Sequence, residues 1–203
     1  MADSHKSDND SDEEKAVMKD NTRVLTPREY SKLKEHLTPS YIAICDVLLH
    51  SGMRISEFRR FCEHREWYDR RRRCIDMIAL KKKTVHKSRS INLTSSGVVA
   101  VDHLFKMLDD NLQIPSRQAM TGVLQRAAVE AKLPDGDKGI CPKMFRKTWV
   151  SWLMNTFPAL MFKIASNMGH TLAVMENNYS NLTFADDDAE DIAKFVKGWG
   201  GTK

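Results

Sequence analysis

The stretch from Pro142 to Tyr179 contains the side chains whose types and spacing could do chemistry on an anion. Lys143 and Arg146 are three residues apart, which puts them on one face of a helix. His170 follows a glycine that ends the next helical run, and Tyr179 comes nine residues later. Cations can stabilise a phosphate, histidine can exchange protons, and a tyrosine hydroxyl can act as a nucleophile. The stretch therefore predicts an anion site with a candidate nucleophile.

A second arginine, Arg54, follows a predicted helix end at Gly52 and opens a short helix. Glu57 lies one turn further on and could hold the guanidinium by a charge-assisted hydrogen bond. Taken alone, this spacing is also that of a surface ion pair that contributes little to stability. Arg54 is therefore a second candidate, beside Arg146, for binding an anion.

Short runs of strand type between Glu66 and Leu93 predict a small antiparallel sheet near the first of these sites. Its first turn is a run of four arginines, which is typical of a solvated turn but could also contact DNA. Its second turn is rich in lysine. The predicted DNA-binding residues are Arg70, Arg71, Arg72, Arg73, Lys81, Lys82, Lys87 and Arg89, together with Lys147 on the polar face of the helix after Pro142.

The rest of the chain is predicted to be helical, which gives a mainly α fold with one small antiparallel sheet (α+β). Thr26, Pro27 and Glu29 form a helix start of the capping-box type. Further starts are predicted at Pro39, Thr94 and Ser116, and acidic residues begin a last helix near Asp186. The apolar stripe of that last helix must be covered, either by its own core or by a neighbouring protomer.

Composition separates an acidic tail from a basic body. The 203 residues carry a net charge of +5, but Met1 to Asp20 carry −4, so the remainder carries +9. We expect a disordered tail over residues 1–22 and one folded domain over residues 23–203. A basic body suits phosphate backbones. The sequence contains neither a long apolar run nor a signal peptide, and its four cysteines have no metal-binding spacing, so we expect an intracellular protein without a membrane span or metal.

Four blocks together resemble the catalytic domain of the tyrosine recombinase and integrase family. The residues that carry the resemblance are Arg146, the Gly-His pair ending at His170 and Tyr179. The segment LLHSGMRISEF around Arg54 and the segment KTVHKSRSINL from Lys83 to Leu93 are similar to two further blocks of that family. The family usually has a histidine three residues before the arginine that corresponds to Arg146. This chain has Lys143 there, as in the integrases of some archaeal viruses. The resemblance covers roughly residues 26 to 199.

The resemblance implies a site-specific recombinase that cuts and rejoins DNA without a metal or other cofactor. Its catalytic residues would be Arg54, Lys83, Lys143, Arg146, His170 and Tyr179, with Glu57 supporting Arg54. Tyr179 would form a 3′-phosphotyrosine, and Lys83 would protonate the departing oxygen. Because the lysine turn is long, Lys82 or Lys81 could take the place of Lys83.

The resemblance also implies double-stranded DNA as the partner, a dimer or tetramer on that DNA, and a place in the host cell's cytoplasm at the nucleoid. Two alternatives stay open from the residues. One is a DNA-binding module without catalysis, and the other is a nicking and closing relative of the type IB topoisomerase kind. The chain could be a catalytic fragment of a longer protein or a short variant that clamps DNA by oligomerising.

Overall fold

Helix α6 (Lys143–Thr156) lies at the centre of the fold. The computed structural model describes residues 15–78, 88–179, 182 and 184–201, with the backbone alone for residues 178 and 179. The helices that surround α6 are α1 (Pro27–Glu35), α2 (Pro39–Ser51), α3 (Ile55–Glu63), α4 (Ser95–Asp109), α5 (Arg117–Glu130), α7 (Met161–Met168), α8 (Leu172–Tyr179) and α9 (Asp186–Val196). The strands are β1 (Met18–Lys19), β2 (Thr22–Arg23), β3 (Tyr68–Asp69), β4 (Cys74–Met77) and β5 (Arg89–Asn92). This mainly helical architecture with small antiparallel sheets confirms the predicted fold class.

Local signals set most helix starts as expected. Thr26 Oγ1 accepts from the backbone N–H of Glu29, whose carboxylate accepts from the N–H of Thr26, so α1 begins with a complete capping box. The side chains of Thr94 and Ser116 cap α4 and α5 in the same manner.

Helix α6 differs from its predicted division into an apolar and a solvent-facing side. Every residue from Met144 to Leu153 is buried, and these include Arg146 and Lys147. The cause is that α6 packs against α2, α7 and α9 on its apolar sides and against β2 on its polar side. Arg146 and Lys147 therefore face other parts of the protein and a cleft rather than open solvent.

Strands β1 and β2 form an antiparallel hairpin with Met18 opposite Arg23. The hairpin includes residues predicted to lie in an unstructured tail, and in the structure residues 18 to 23 form two paired strands and their turn. Arg23 holds the hairpin in place, since its buried guanidinium pairs with Glu29 and donates to the carbonyl of Gly136 at 3.2 Å. Residues 1–14 lie outside the described ranges.

The second sheet has the order β3-β4-β5 and is antiparallel throughout. Cys74 pairs with Asn92 at one end of the sheet, and Met77 pairs with Arg89 at the other. The turn of four arginines follows β3 at the Asn92 end, whereas the lysine-rich connection follows β4 at the Arg89 end. At about 3.3 Å per residue, the two ends of β5 are about 10 Å apart.

The apolar stripe of α9 packs against the chain's own core. Ile192 and Val196 are fully buried, and the ring of Phe195 stacks on His50 with centroids 5.4 Å apart. Trp199 follows the helix and is also buried. Of the two alternatives left open by the sequence, the structure therefore has the stripe packed within one protomer.

Two expectations from composition concern the four cysteines and membrane insertion. The cysteines are free thiols, two buried and two partly buried. Among the described helices, none combines the length and the apolar composition that crossing a bilayer requires.

Candidate active site

A cleft of about 700 Å³ opens beside the N-terminal half of α6. Its walls come from the loop between α2 and α3, the start of α5, the start of α6 and the connection between α7 and α8. The cationic side chains along it are Arg54, Arg59, Arg117, Lys143, Arg146 and Lys147, and His170 joins them. The predicted sites around Arg54, Arg146 and His170, far apart in sequence, therefore belong to one cleft.

Arg146 is fixed by neighbours on three elements. Its Nη1 donates to the carbonyl of Gly52 at 2.8 Å, and its Nη2 donates to the carbonyl of Met168. Gly52 adopts φ +60°, and a Cβ on it would lie 2.8 Å from the sulfur of Met168 and 3.0 Å from the Trp149 ring. Glycine is thus required both by the left-handed backbone and by the close packing that brings its carbonyl to Arg146.

Glu57 is the acid at the centre of the arginine cluster. Its Oε2 accepts from the backbone N–H of Arg54 at 2.8 Å, and its Oε1 accepts from Arg54 Nη1 at 3.0 Å. Arg146 Nη1 lies 3.8 Å from Oε2, and Arg89 bonds to both oxygens. Burial opposes ionisation of Glu57, but the bonds and charge of Arg89, with smaller contributions from Arg54 and Arg146, lower its pKa to about 2. Glu57 is therefore a carboxylate at neutral pH.

His170 contacts the same arginine through its ring. Arg146 Nη2 donates to His170 Nε2 at 2.8 Å, which leaves the ring proton of the neutral imidazole on Nδ1. Burial, followed by the charges of Arg146, Arg54 and Arg89, lowers the pKa of His170 to about 4. His170 is accordingly neutral at pH 7.

Lys143 and Lys147 lie one turn apart on α6 but in different environments. Lys143 is exposed at the cleft mouth, where the sequence predicted it to face an anion. The side chain of Lys147 is only 5% exposed, and its Nζ contacts Asp20 at 2.5 Å and the carbonyl of Lys19 at 2.9 Å. The β1–β2 hairpin covers the ammonium group of Lys147, and DNA binding by this residue stays a prediction.

Two predicted catalytic side chains lie outside the described residues. These are Lys83, with its alternatives Lys81 and Lys82, in the connection between β4 and β5, and the side chain of Tyr179. Lys87 of the predicted DNA-binding set lies in the same undescribed connection. Tyr179 is the last residue of α8, and this helix begins two residues after His170. The buried side chain of Met175 anchors the helix to the core.

Three of the four arginines of the β3–β4 turn, Arg71, Arg72 and Arg73, line a pocket that is separate from the cleft. Arg70 pairs with Asp102, and Arg72 pairs with Asp69 and Asp76. Carboxylates thus neutralise much of the turn's charge. The structure places this predicted DNA-binding run, which comprises Arg70, Arg71, Arg72 and Arg73, at the end of the sheet remote from Glu57.

Arg89 is another predicted DNA-binding residue whose location differs from the expectation. Its side chain is 10% exposed and forms a bidentate pair with Glu57. The sequence could not reveal this pair because 32 residues separate the partners. The structure thus holds the guanidinium of Arg89 on Glu57, and DNA binding by Arg89 stays a prediction.

Sequence reasoning missed Arg59 and Arg117, which both line the cleft. Arg59 donates to the carbonyl of Pro115, and this bond joins α3 to the start of α5 beside Arg117. The cap at Ser116 predicted where α5 begins, but no local signal places α5 next to α3. Within the described ranges, no group of three His, Cys, Asp or Glu side chains could hold a metal ion.

Solved structures of other proteins are similar to this chain. No protein-family model and no curated protein sequence matches it. The crystal structure of XerA recombinase superposes with a TM-score of 0.58 at 18% identity, over 85% of this chain and 65% of that one. A Tn1549 transposon integrase in complex with transposon right-end DNA gives 0.62 at 20% identity, with the same two coverages. A complex of that integrase with circular intermediate DNA gives 0.58 at 21% identity, over 92% and 68%.

The first two matches span less than two thirds of their solved chains, and all three have low identity, so they establish the fold of the matched region. Both named proteins have the catalytic-domain architecture that the four sequence blocks resemble. The chain has the fold of a tyrosine recombinase catalytic domain.

Proposed function

We propose that the chain is the catalytic domain of a site-specific DNA recombinase that cleaves and rejoins strands through a 3′-phosphotyrosine. The observation that carries this proposal is the convergence of Arg54, Arg146 and neutral His170 in one cleft, next to the helix that ends at Tyr179. The DNA complexes of the Tn1549 integrase support double-stranded DNA as the partner.

In the proposed reaction, the hydroxyl oxygen of Tyr179 attacks the phosphorus and gives its proton to a water molecule. The bond between the phosphorus and the 5′ oxygen breaks, and that oxygen leaves as a hydroxyl. Its proton comes from Lys83, or from one of the alternatives Lys82 and Lys81. The guanidiniums of Arg54 and Arg146 hold the non-bridging oxygens, where transition-state charge develops. His170 hydrogen-bonds a non-bridging oxygen or the tyrosine. Attack by the freed hydroxyl of another strand reverses the step and rejoins DNA.

Further cations would extend this contact along the DNA backbone. Lys143 supplies charge at the cleft mouth, and Arg59 with Arg117 continues the cationic wall beyond Arg54. The proposal includes a metal-independent reaction, since fixed cations take the position that a metal would have. It also includes a dimer or tetramer on the recombination site at the host nucleoid, and a relationship to archaeal viral integrases through Lys143.

A nicked suicide substrate tests the proposal, because loss of the short fragment beyond the nick prevents religation. In the presence of EDTA, a covalent protein–DNA adduct should accumulate and survive denaturing electrophoresis. Tyr179→Phe should remove the adduct and keep DNA binding, since it deletes one hydroxyl and retains the ring.

Three other outcomes would contradict parts of the proposal. A parent chain that binds DNA without forming an adduct would be a DNA-binding module. An adduct in Tyr179→Phe would move the nucleophile to another tyrosine. An adduct that religates only its own strand, with no exchange between two sites, would indicate a nicking and closing enzyme.

A further inference from the structure

Arg89 lies on the far side of Glu57 from the catalytic arginines' cleft. Its Nη1 donates to Glu57 Oε1 at 3.0 Å, and its Nη2 donates to Oε2 at 2.9 Å. Such a two-bond fork fixes the carboxylate in both position and plane. The oxygens that Arg89 holds are the same two that contact Arg54. Arg54 and Arg146 line the cleft, whereas Arg89 is not among its lining residues.

We propose that Arg89 is a positioning residue that acts through Glu57, holding Arg54 in the orientation that grips the scissile phosphate. The inference rests on the proposed function, since it concerns the same reaction. Arg54 keeps a side-chain exposure of 43% although it bonds to Glu57. Because Arg89 supplies most of the neutralising contact, Arg54 can leave one face of its guanidinium toward the cleft.

The packing of Arg89 against Gly169 supports a role in aligning several elements. A Cβ on Gly169 would lie 3.2 Å from Arg89 Nη1 and 3.3 Å from its Cδ, so the side chain passes closely over this glycine. The next residue is His170. One guanidinium therefore fixes the start of β5, the first turn of α3 and the segment that presents His170.

Asn167 strengthens this alignment from the same helix end. Its Nδ2 donates to the carbonyl of Ser90 at 2.9 Å, and its Oδ1 accepts from the N–H of Asn92 at 3.1 Å. Strand β5 is thereby tied to α7 directly after Arg89.

Electrostatics explains why the cluster needs a third arginine. The carboxylate of Glu57 is buried, and after this burial the bonds and charge of Arg89 have the largest effects on its pKa. Without Arg89, the pKa of Glu57 would rise, and Arg54 would be drawn onto the carboxylate as its main counterion. The pKa of His170 would also rise, because Arg89 is one of three arginines that lower it.

Single-turnover cleavage of the suicide substrate by Arg89→Met and Arg89→Lys tests the inference. Arg89→Met should slow adduct formation about 10²-fold, the size expected for a displaced catalytic group. Arg89→Lys should retain part of the rate, because it keeps the charge and loses the fork. The acid limb of the rate profile should move to higher pH in Arg89→Met, since both Glu57 and His170 would take up protons more readily.

A double-mutant cycle with Glu57→Gln identifies the route of the effect. If Arg89 acts through Glu57, Arg89→Met should have a much smaller effect in the Glu57→Gln background than in the parent. Arg65→Lys is the control, because it removes the fork of an arginine that pairs with Asp109 outside the cleft lining. It should leave the cleavage rate near that of the parent.

The outcomes separate this inference from the proposed function. A parent chain that forms no adduct would overturn the proposed function itself. A parent adduct with equal rates in Arg89→Lys and Arg89→Met would overturn the positioning role alone. Should Arg89→Met fail to fold, Arg89→Lys decides: a parental rate and an unshifted acid limb in that folded variant would contradict the inference.

Discussion

At the scale of single residues, the charge of the cluster matches the reaction proposed for it. Three guanidiniums, one carboxylate and a neutral imidazole give the cluster around Glu57 a net charge of +2. A phosphodiester brings one negative charge, and nucleophilic attack places a second on its oxygens. Glu57 therefore serves to orient the arginines while the site stays positive enough to stabilise the transition state.

Lys143 should contribute through its charge rather than through proton transfer. It is exposed at the cleft mouth, three residues before Arg146. Lys143→Met should slow adduct formation by about 10²-fold, the effect of removing one charge-stabilising group, while Lys143→Arg retains part of the rate. Single-turnover kinetics on the suicide substrate measures both.

Lys138→Met is the matched control for Lys143, because it removes an exposed lysine shortly before α6 and outside the cleft lining. Its rate should stay near that of the parent. Equal rates in Lys143→Met and Lys138→Met, with similar melting temperatures, would make Lys143 an ordinary surface residue.

At the scale of elements, the β1–β2 hairpin closes one side of the cleft. Asp20 lines the cleft and holds Lys147, while the hairpin backbone crosses Gly139. A Cβ on Gly139 would lie 2.6 Å from Met18 Cε and 2.7 Å from the backbone nitrogen of Arg23. The hairpin can take this position only because residue 139 has no side chain.

Gly139→Ala should therefore lower the free energy of unfolding by more than Gly136→Ala does. Both glycines have positive φ, so alanine in either position incurs about 1 to 2 kcal/mol of backbone strain. Only Gly139→Ala adds a clash with the hairpin, since nothing lies within 4 Å of a Cβ on Gly136. Denaturant unfolding of both variants measures the difference, and equal losses would mean that the hairpin moves aside at no cost.

At the scale of the whole molecule, charge is divided between the folded body and the first residues. Residues 1–14 contain six acidic side chains and one lysine, so the remaining chain has a net charge of +10. A body of this charge should bind duplex DNA tightly at low salt and lose affinity steeply as salt rises, because binding releases counterions from the phosphates. The acidic segment should compete with DNA for that surface.

Deletion of residues 1–14 should strengthen non-specific duplex binding at matched ionic strength and leave the melting temperature unchanged. Deletion of residues 1–20 should instead lower the melting temperature, because it removes β1 and the Asp20 partner of Lys147. A full-length variant with its first six acids changed to amides is the control for length. If that variant binds DNA no better than the parent, tail competition is wrong.

The sequence by itself determined most helix starts and the fold class, and it predicted part of the candidate site. Caps such as Thr26 and breaks such as Gly52 act within one or two turns, so they can be recognised without knowing the fold. The order of Arg54, Arg146 and His170 along the chain likewise sufficed to predict that they act together. The role of Tyr179 remains a prediction from the same order.

Only the tertiary structure decided which cations face the cleft. Arg89 and Lys147 looked like surface cations, yet one is paired with Glu57 and the other with Asp20. No pattern in the sequence pointed to Arg117, although it lines the cleft. The physical reason is that burial and ion pairing depend on which elements pack together, and contacts between residues 32 to 128 positions apart leave no trace in local spacing.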